Sequence, residues 1–105
     1  MGKFDQAILD YTRAIEIAPG LAAAYTNRAI AYQNKNDFSL ALSDYNKAVA
    51  IDANNAQAYY NRAVMNFEKQ DYARSWEDVH RAQMLGYKVN PEFMEQLKKL
   101  SGKEK

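Results

Sequence analysis

The sequence repeats itself at an interval of 34 residues, and that interval constrains the fold more than any other feature. Phe4 aligns with Phe38 and Tyr72, Ala7 with Ala41 and Ser75, and Asp10 with Asp44 and Asp78. Tyr11 aligns with Tyr45 and Val79, Ala14 with Ala48 and Ala82, and Ile17 with Ile51 and Leu85. A second set repeats once: Tyr25, Asn27, Arg28 and Ala29 against Tyr59, Asn61, Arg62 and Ala63. Aromatic, small and charged positions in step at one period indicate stacked copies of a single supersecondary unit. Such a unit cannot bury its apolar face alone and relies on its neighbours.

Within each copy the apolar residues recur every three or four positions, which is the helical period. Phe38, Ala41, Leu42, Tyr45, Ala48, Val49 and Ile51 trace one face, and Tyr25, Ala29 and Tyr32 another. This spacing predicts helices at about 4–17, 22–35, 38–51, 56–69, 72–85 and 91–101. The turns Asn36-Asp37 and Gln70-Asp71 place an aspartate where it caps the next helix. Pro19-Gly20 and Asn54-Asn55 separate copies. Gly86 fits a left-handed helix end, and Asn90-Pro91 fits a cap followed by proline at the first helical position.

With 105 residues the chain is one domain, 1–105, of limited buried area. Two prolines and four glycines suit helices, and the absence of long Val, Ile and Phe runs argues against a β-rich core. A net charge of +1 is no footprint for nucleic acid. The one basic cluster, Lys98, Lys99, Lys103 and Lys105, reads as a solvated helix end and tail. No cysteine is present, so disulfides, thiolate metal sites and cysteine nucleophiles are excluded. No secretory leader and no bilayer-length apolar run is visible; membrane insertion is not expected, and a cytoplasmic setting is favoured.

Candidate chemistry is sparse. Arg28 and Arg62 stand in a fixed relation to Asp10, Asp44 and Asp78, which suggests structural ion pairs; the alternative is a fork gripping a ligand carboxylate. His80 follows Glu77 by three residues, but zinc needs at least three protein ligands and no second histidine exists. The serines lack a triad arrangement, and the glycines form no phosphate loop. No enzyme activity, metal or cofactor is expected. Trp76 reads as packing at a repeat edge or as an exposed anchor for a partner.

The period and the residues together resemble the tetratricopeptide repeat (TPR) family. Tyr25, Ala29, Tyr32, Ala41, Tyr45 and Ala48 match its aromatic, small, aromatic, Ala, aromatic and Ala positions, and Pro19 matches its closing proline. The resemblance covers residues 4 to about 89. The third unit departs from it, with Asn66, Ser75 and Val79 in place of Tyr, Ala and an aromatic, and Gly86-Tyr87 in place of the proline. The implied fold is an all-α, right-handed α-solenoid of antiparallel helix pairs with a C-terminal capping helix. It comprises a half repeat at 4–21 (second helix only), full repeats at 22–55 and 56–89, and a cap at 91–101, where Phe93, Leu97 and Leu100 form a stripe.

The family implies a protein-interaction scaffold whose concave groove holds a peptide or helix of a partner. Carried onto this sequence, the groove is lined by Thr26, Asn27, Ile30, Gln33 and Asn34, then by Gln57, Tyr60, Asn61, Val64, Phe67 and Glu68. Some TPR domains clamp a C-terminal carboxylate. Asn27 matches that clamp's asparagine, but its Lys and Arg positions are Gln57 and Asn61 here, so no clamp is expected. The half repeat suggests a fragment of a longer array, or self-association through helix 4–17. Ala7, Tyr11, Ala14 and Ile15 are the residues expected to lose cover, which makes an oligomerisation segment the alternative function.

Overall fold

The computed structural model describes residues 2–102, and Lys103 and Lys105 of the basic tail lie outside them. Among the described residues there are six helices and no strand: α1 (Lys3–Ile17), α2 (Ala22–Asn34), α3 (Phe38–Ile51), α4 (Ala56–Glu68), α5 (Tyr72–Met84) and α6 (Pro91–Ser101). The chain divides into two compact units, Met1–Ala53 and Asn54–Lys105.

In the first unit α2 packs against both α1 and α3. Ala29 and Ala41 are 0% exposed, so the small residues lie where helix backbones approach closely. Tyr45 is equally buried, and its hydroxyl donates to the Gln33 side-chain oxygen at 2.8 Å, which removes the cost of enclosing a phenol. In the second unit α4 packs against α5, and α5 against α6. Its core joins Ala63, Trp76, Val79 and Leu97, with Phe67, Tyr72, Val89, Phe93 and Met94 packed around them.

The residues that break the family pattern in this unit are satisfied polar groups. Ser75 Oγ donates to the Ala63 carbonyl at 2.8 Å, and Asn66 Nδ2 donates to Asp78 Oδ2 at 3.2 Å. Trp76 is packing and not an exposed anchor. It is 5% exposed, and its indole N–H donates to Ser101 Oγ at 3.0 Å.

Helix ends follow local chemistry. α2, α4 and α5 each close with a pair of backbone bonds around a residue of positive φ. In α2, Asp37 N bonds Tyr32 O and Asn36 N bonds Gln33 O, both at 2.9 Å, with Asn36 at φ 63°. Gln70 (φ 64°) and Gly86 (φ 91°) play the same part after α4 and α5. Asn90 caps α6 by accepting from Glu92 N, with Pro91 beginning the helix.

The two aspartate caps part company. Asp71 accepts from Arg74 N at 3.2 Å, whereas Asp37 makes no side-chain cap bond. Arg74 brings both its amide and, at 3.6 Å, its guanidinium to Asp71; the corresponding residue in α3 is Leu40. Ile17 and Ile51, matched by the repeat and read as part of the apolar face, are both exposed. Each is the last residue of its helix.

Candidate functional site

The electrostatic centre of each unit is one arginine–aspartate fork. Arg28 reaches from α2 to α3, with Nε at 2.7 Å from Asp44 Oδ2 and Nη2 at 2.8 Å from Asp44 Oδ1. Arg62 reaches from α4 to α5, with Nε at 2.9 Å and Nη2 at 2.7 Å from the two Asp78 oxygens. Each aspartate lies 16 residues after its arginine, and both aspartates are buried. The carboxylate hydrogen bond raises both guanidinium pKa values, against desolvation, which lowers them. Arg28 also sits 5.6 Å above the Tyr25 ring and Arg62 5.5 Å above the Tyr59 ring, where ring faces favour a cation. These arginines are engaged inside the units, so the structural ion pair holds and the ligand fork does not. Asp10, third in the series, is exposed and accepts a bond from Gln6 of its own helix at 3.3 Å.

The sequence-predicted groove residues divide into two sets. Asn27, Asn34 and Gln57 are exposed, Asn61 is half-buried, and among the described residues their carboxamides make no hydrogen bond. Ile30 and Val64 are half-buried, and Glu68 is exposed. The others have internal work. Thr26 is buried and donates to the Ala22 carbonyl at 3.1 Å, and Gln33 receives the Tyr45 hydroxyl. Phe67 packs edge-on against Phe93 of α6, with ring centres 5.2 Å apart, and against Tyr72 at 5.7 Å.

Tyr60 stacks on Tyr87 at 4.9 Å and meets the edge of Phe93 at 5.7 Å. Burial raises its phenol pKa above the ordinary value, and Tyr87 adds to the rise. Beside this pair is a cavity of about 660 Å³ lined by Tyr60, Gln83, Lys88, Val89, Asn90 and Pro91, with Tyr87 as one wall. Tyr87 was not among the sequence-predicted site residues. It stands outside the repeated positions, so periodicity carries no signal for it.

The residues expected to lose cover are all half-buried: Ala7, Tyr11, Ala14 and Ile15. α1 has no buried residue, although it packs on α2. Its counterparts Ala41, Tyr45 and Ala48 in α3, and Ser75, Val79 and Ala82 in α5, are fully buried. His80 is exposed, its ring 5.4 Å from that of Trp76. No group of three or more His, Asp or Glu side chains among the described residues is placed to hold a metal. No helix among them is long and apolar enough to cross a membrane.

Two family models match the chain: a tetratricopeptide repeat model over residues 22–55 and a TPR repeat model over residues 1–36. The first TPR of Spaghetti (RPAP3), solved bound to the HSP90 peptide SRMEEVD, is 35% identical with a TM-score of 0.85. That match covers 96% of this chain and 79% of the other. The chain belongs to the tetratricopeptide repeat family. Its fold is the family's all-α solenoid. The TPR domain of Arabidopsis OM64 is similar at 29% identity and a TM-score of 0.87, over 92% of this chain and 82% of that one. The TPR2B domain of yeast Sti1, in a complex with pHsp70, is 30% identical with a TM-score of 0.80, over 94% and 82%. No curated protein matches the chain. The two family models stop at residue 55, and the segment beyond it is the one carrying Asn66, Ser75 and Val79.

Proposed function

We propose that this TPR chain is a non-catalytic scaffold that binds a peptide or helix of a partner protein through the groove positions of α2 and α4. The repeats are assigned as 22–55 and 56–89, with a half repeat at 4–21 and a cap at 91–101. The observation that carries the reading is the set of carboxamides on Asn27, Asn34, Gln57 and Asn61 that make no hydrogen bond among the described residues. A carboxamide both donates and accepts, so it pairs with a peptide backbone whatever the side-chain sequence. Their neighbours Arg28 and Arg62 are locked into the units, which leaves the amides, with the exposed Glu68, as polar groups on offer. Two similar TPR structures hold an HSP90 peptide, which supports a peptide-binding role. Gln57 and Asn61 stand where a carboxylate clamp has its cations, so an internal peptide segment is the ligand class.

The test compares the native chain with an Asn27→Ala, Gln57→Ala, Asn61→Ala variant, all three outside the packed core. Partner or peptide captured by the native chain and lost by the equally stable variant supports the groove. Equal capture by both refutes it. The peptide SRMEEVD serves as a control for the clamp: tight binding abolished by amidating its C-terminus would overturn the assignment to internal segments.

A second reading is assembly through α1, favoured by the half-buried Ala7, Tyr11, Ala14 and Ile15 against their fully buried counterparts. Light scattering at high concentration tests self-association, and a clean monomer removes it.

A further inference from the structure

Residues 85–90 link α5 to α6, and Tyr87, Lys88, Val89 and Asn90 of that link line the cavity of about 660 Å³ in the second unit. Its polar lining is rich in donors. Lys88 is exposed and makes no ion pair among the described residues, and its ammonium can only donate. The Asn90 side-chain oxygen is taken by the Glu92 amide at 2.8 Å, so what that carboxamide chiefly has left to offer is its NH2. Burial raises the Tyr60 pKa, which keeps the phenol protonated and able to donate. No acidic residue lines the cavity. Glu92 and Glu95 line a different one, with Asn90, Phe93 and Gln96. The apolar lining is the stacked Tyr60–Tyr87 pair with Val89 and Pro91. A lone inorganic anion would leave that lining wet, and the volume falls among pockets for larger groups, about 300–1,000 Å³. The complement is a negative charge carried on an apolar stem.

We propose that the cavity beside Tyr60 and Tyr87 seats an acidic side chain from within the partner's peptide segment, with Lys88 as its counter-ion. Glutamate suits it better than aspartate, because its longer stem covers more of the tyrosine rings. The inference rests on the groove reading. Gln57, Tyr60, Asn61 and Val64 recur at three and four residues, so they share one face of α4. A segment whose backbone pairs with the Gln57 and Asn61 carboxamides therefore passes Tyr60. Neighbours on a helix face stand about 5–6 Å apart and an extended chain advances about 3.3 Å per residue, which puts the acid within about two residues of the one paired with Asn61. The two sets of groups then divide the work: the amides hold a backbone of any sequence, and the lysine selects among sequences. Lys88 stands in the α5–α6 link and not at Gln57 or Asn61, where a carboxylate clamp has its cations, which suits a side chain on a passing segment rather than a chain end.

The probe comes from a phage library of random dodecapeptides fused through their C-termini, so that no chain-end carboxylate is on offer. The full native chain is the bait. Enriched peptides are resynthesised with amidated C-termini and titrated by fluorescence anisotropy. An acidic residue at one fixed position is expected. Replacing it by its amide, or Lys88→Met in the chain, weakens binding about fivefold, and the two changes together cost no more than either one. Lys88→Arg retains most of the affinity. Lys88 is exposed, so its variants keep the native melting curve. Peptides with no common acid, or with affinity indifferent to Lys88→Met, overturn the proposal, and they leave the groove reading standing if Gln57→Ala with Asn61→Ala abolishes their binding. Peptides coupled to Lys88 but indifferent to Gln57→Ala with Asn61→Ala keep the acid site and refute the groove amides. A library that enriches nothing overturns both.

Discussion

Arg28→Met should destabilise the chain far more than Asp44→Leu, although both delete the same ion pair. The Asp44 side chain is 7% exposed and that of Arg28 18%. Asp44 has no hydrogen-bond donor among the described residues other than Arg28, so Arg28→Met strands a carboxylate in a dry site. Breaking a buried pair from one side costs about 3–5 kcal/mol. The partial exposure of the arginine site admits water, which puts the expected loss at the lower end, about 3 kcal/mol. In Asp44→Leu the guanidinium keeps its bond to Thr12, lies 5.6 and 5.8 Å above the Tyr25 and Tyr32 rings, and reaches solvent. That loss should be about 1 kcal/mol. The double variant replaces the pair with apolar groups and should return to within about 1 kcal/mol of the native chain. For a chain this size the first loss corresponds to a fall in Tm of roughly 10–20 °C. Urea melts of the four proteins give the cycle. Equal losses in the two single variants, or a double variant worse than Arg28→Met, would refute the claim that the stranded carboxylate causes most of the loss.

Gln70 holds φ 64°, where a side chain is strained, so Gln70→Gly should raise stability by about 0.5–1 kcal/mol in the same melts, whereas a decrease would place the Gln70 side chain in an unseen stabilising role. Trp76→Ala empties the core around Val79 and Leu97 and should cost about 3–5 kcal/mol, while Trp76→Phe, losing the bond to Ser101, should cost about 1–2 kcal/mol. The Lys35 hydrogen bond holds the Asp5 carboxyl below its ordinary value, so the pair's contribution is present above that value and fades as pH falls through the lower folded one. Carboxyl-resolved NMR titration should show the depressed midpoint, and Lys35→Met should raise it part of the way back, because the Gly2 amide still donates to the carboxylate.

Much of the fold was legible because it depends on local period. Three- and four-residue apolar spacing located all six helices to within a residue or so at each end. Gly86 and Asn90-Pro91 specified their helix ends through their own backbone chemistry. The small residues Ala29 and Ala41 marked the close approach of two helices before any coordinate did. Side-chain capping was less legible: Asp37 and Asp71 have similar turn sequences, but only Asp71 accepts the amide three residues on, where Arg74 stands in place of Leu40.

The sequence by itself determined the repeat, the helices, the family and the two positions whose charges oppose. Tertiary structure alone decided that each arginine takes the aspartate 16 residues after it. That choice depends on the antiparallel register of two helices, which a one-dimensional period does not contain. It also decided that Gln33, Phe67 and Tyr60 spend their side chains on Tyr45, α6 and Tyr87, leaving the carboxamides of Asn27, Asn34, Gln57 and Asn61 without a hydrogen bond among the described residues. A face of a helix is set by sequence, but whether that face meets water or another side chain is set by which element folds against it.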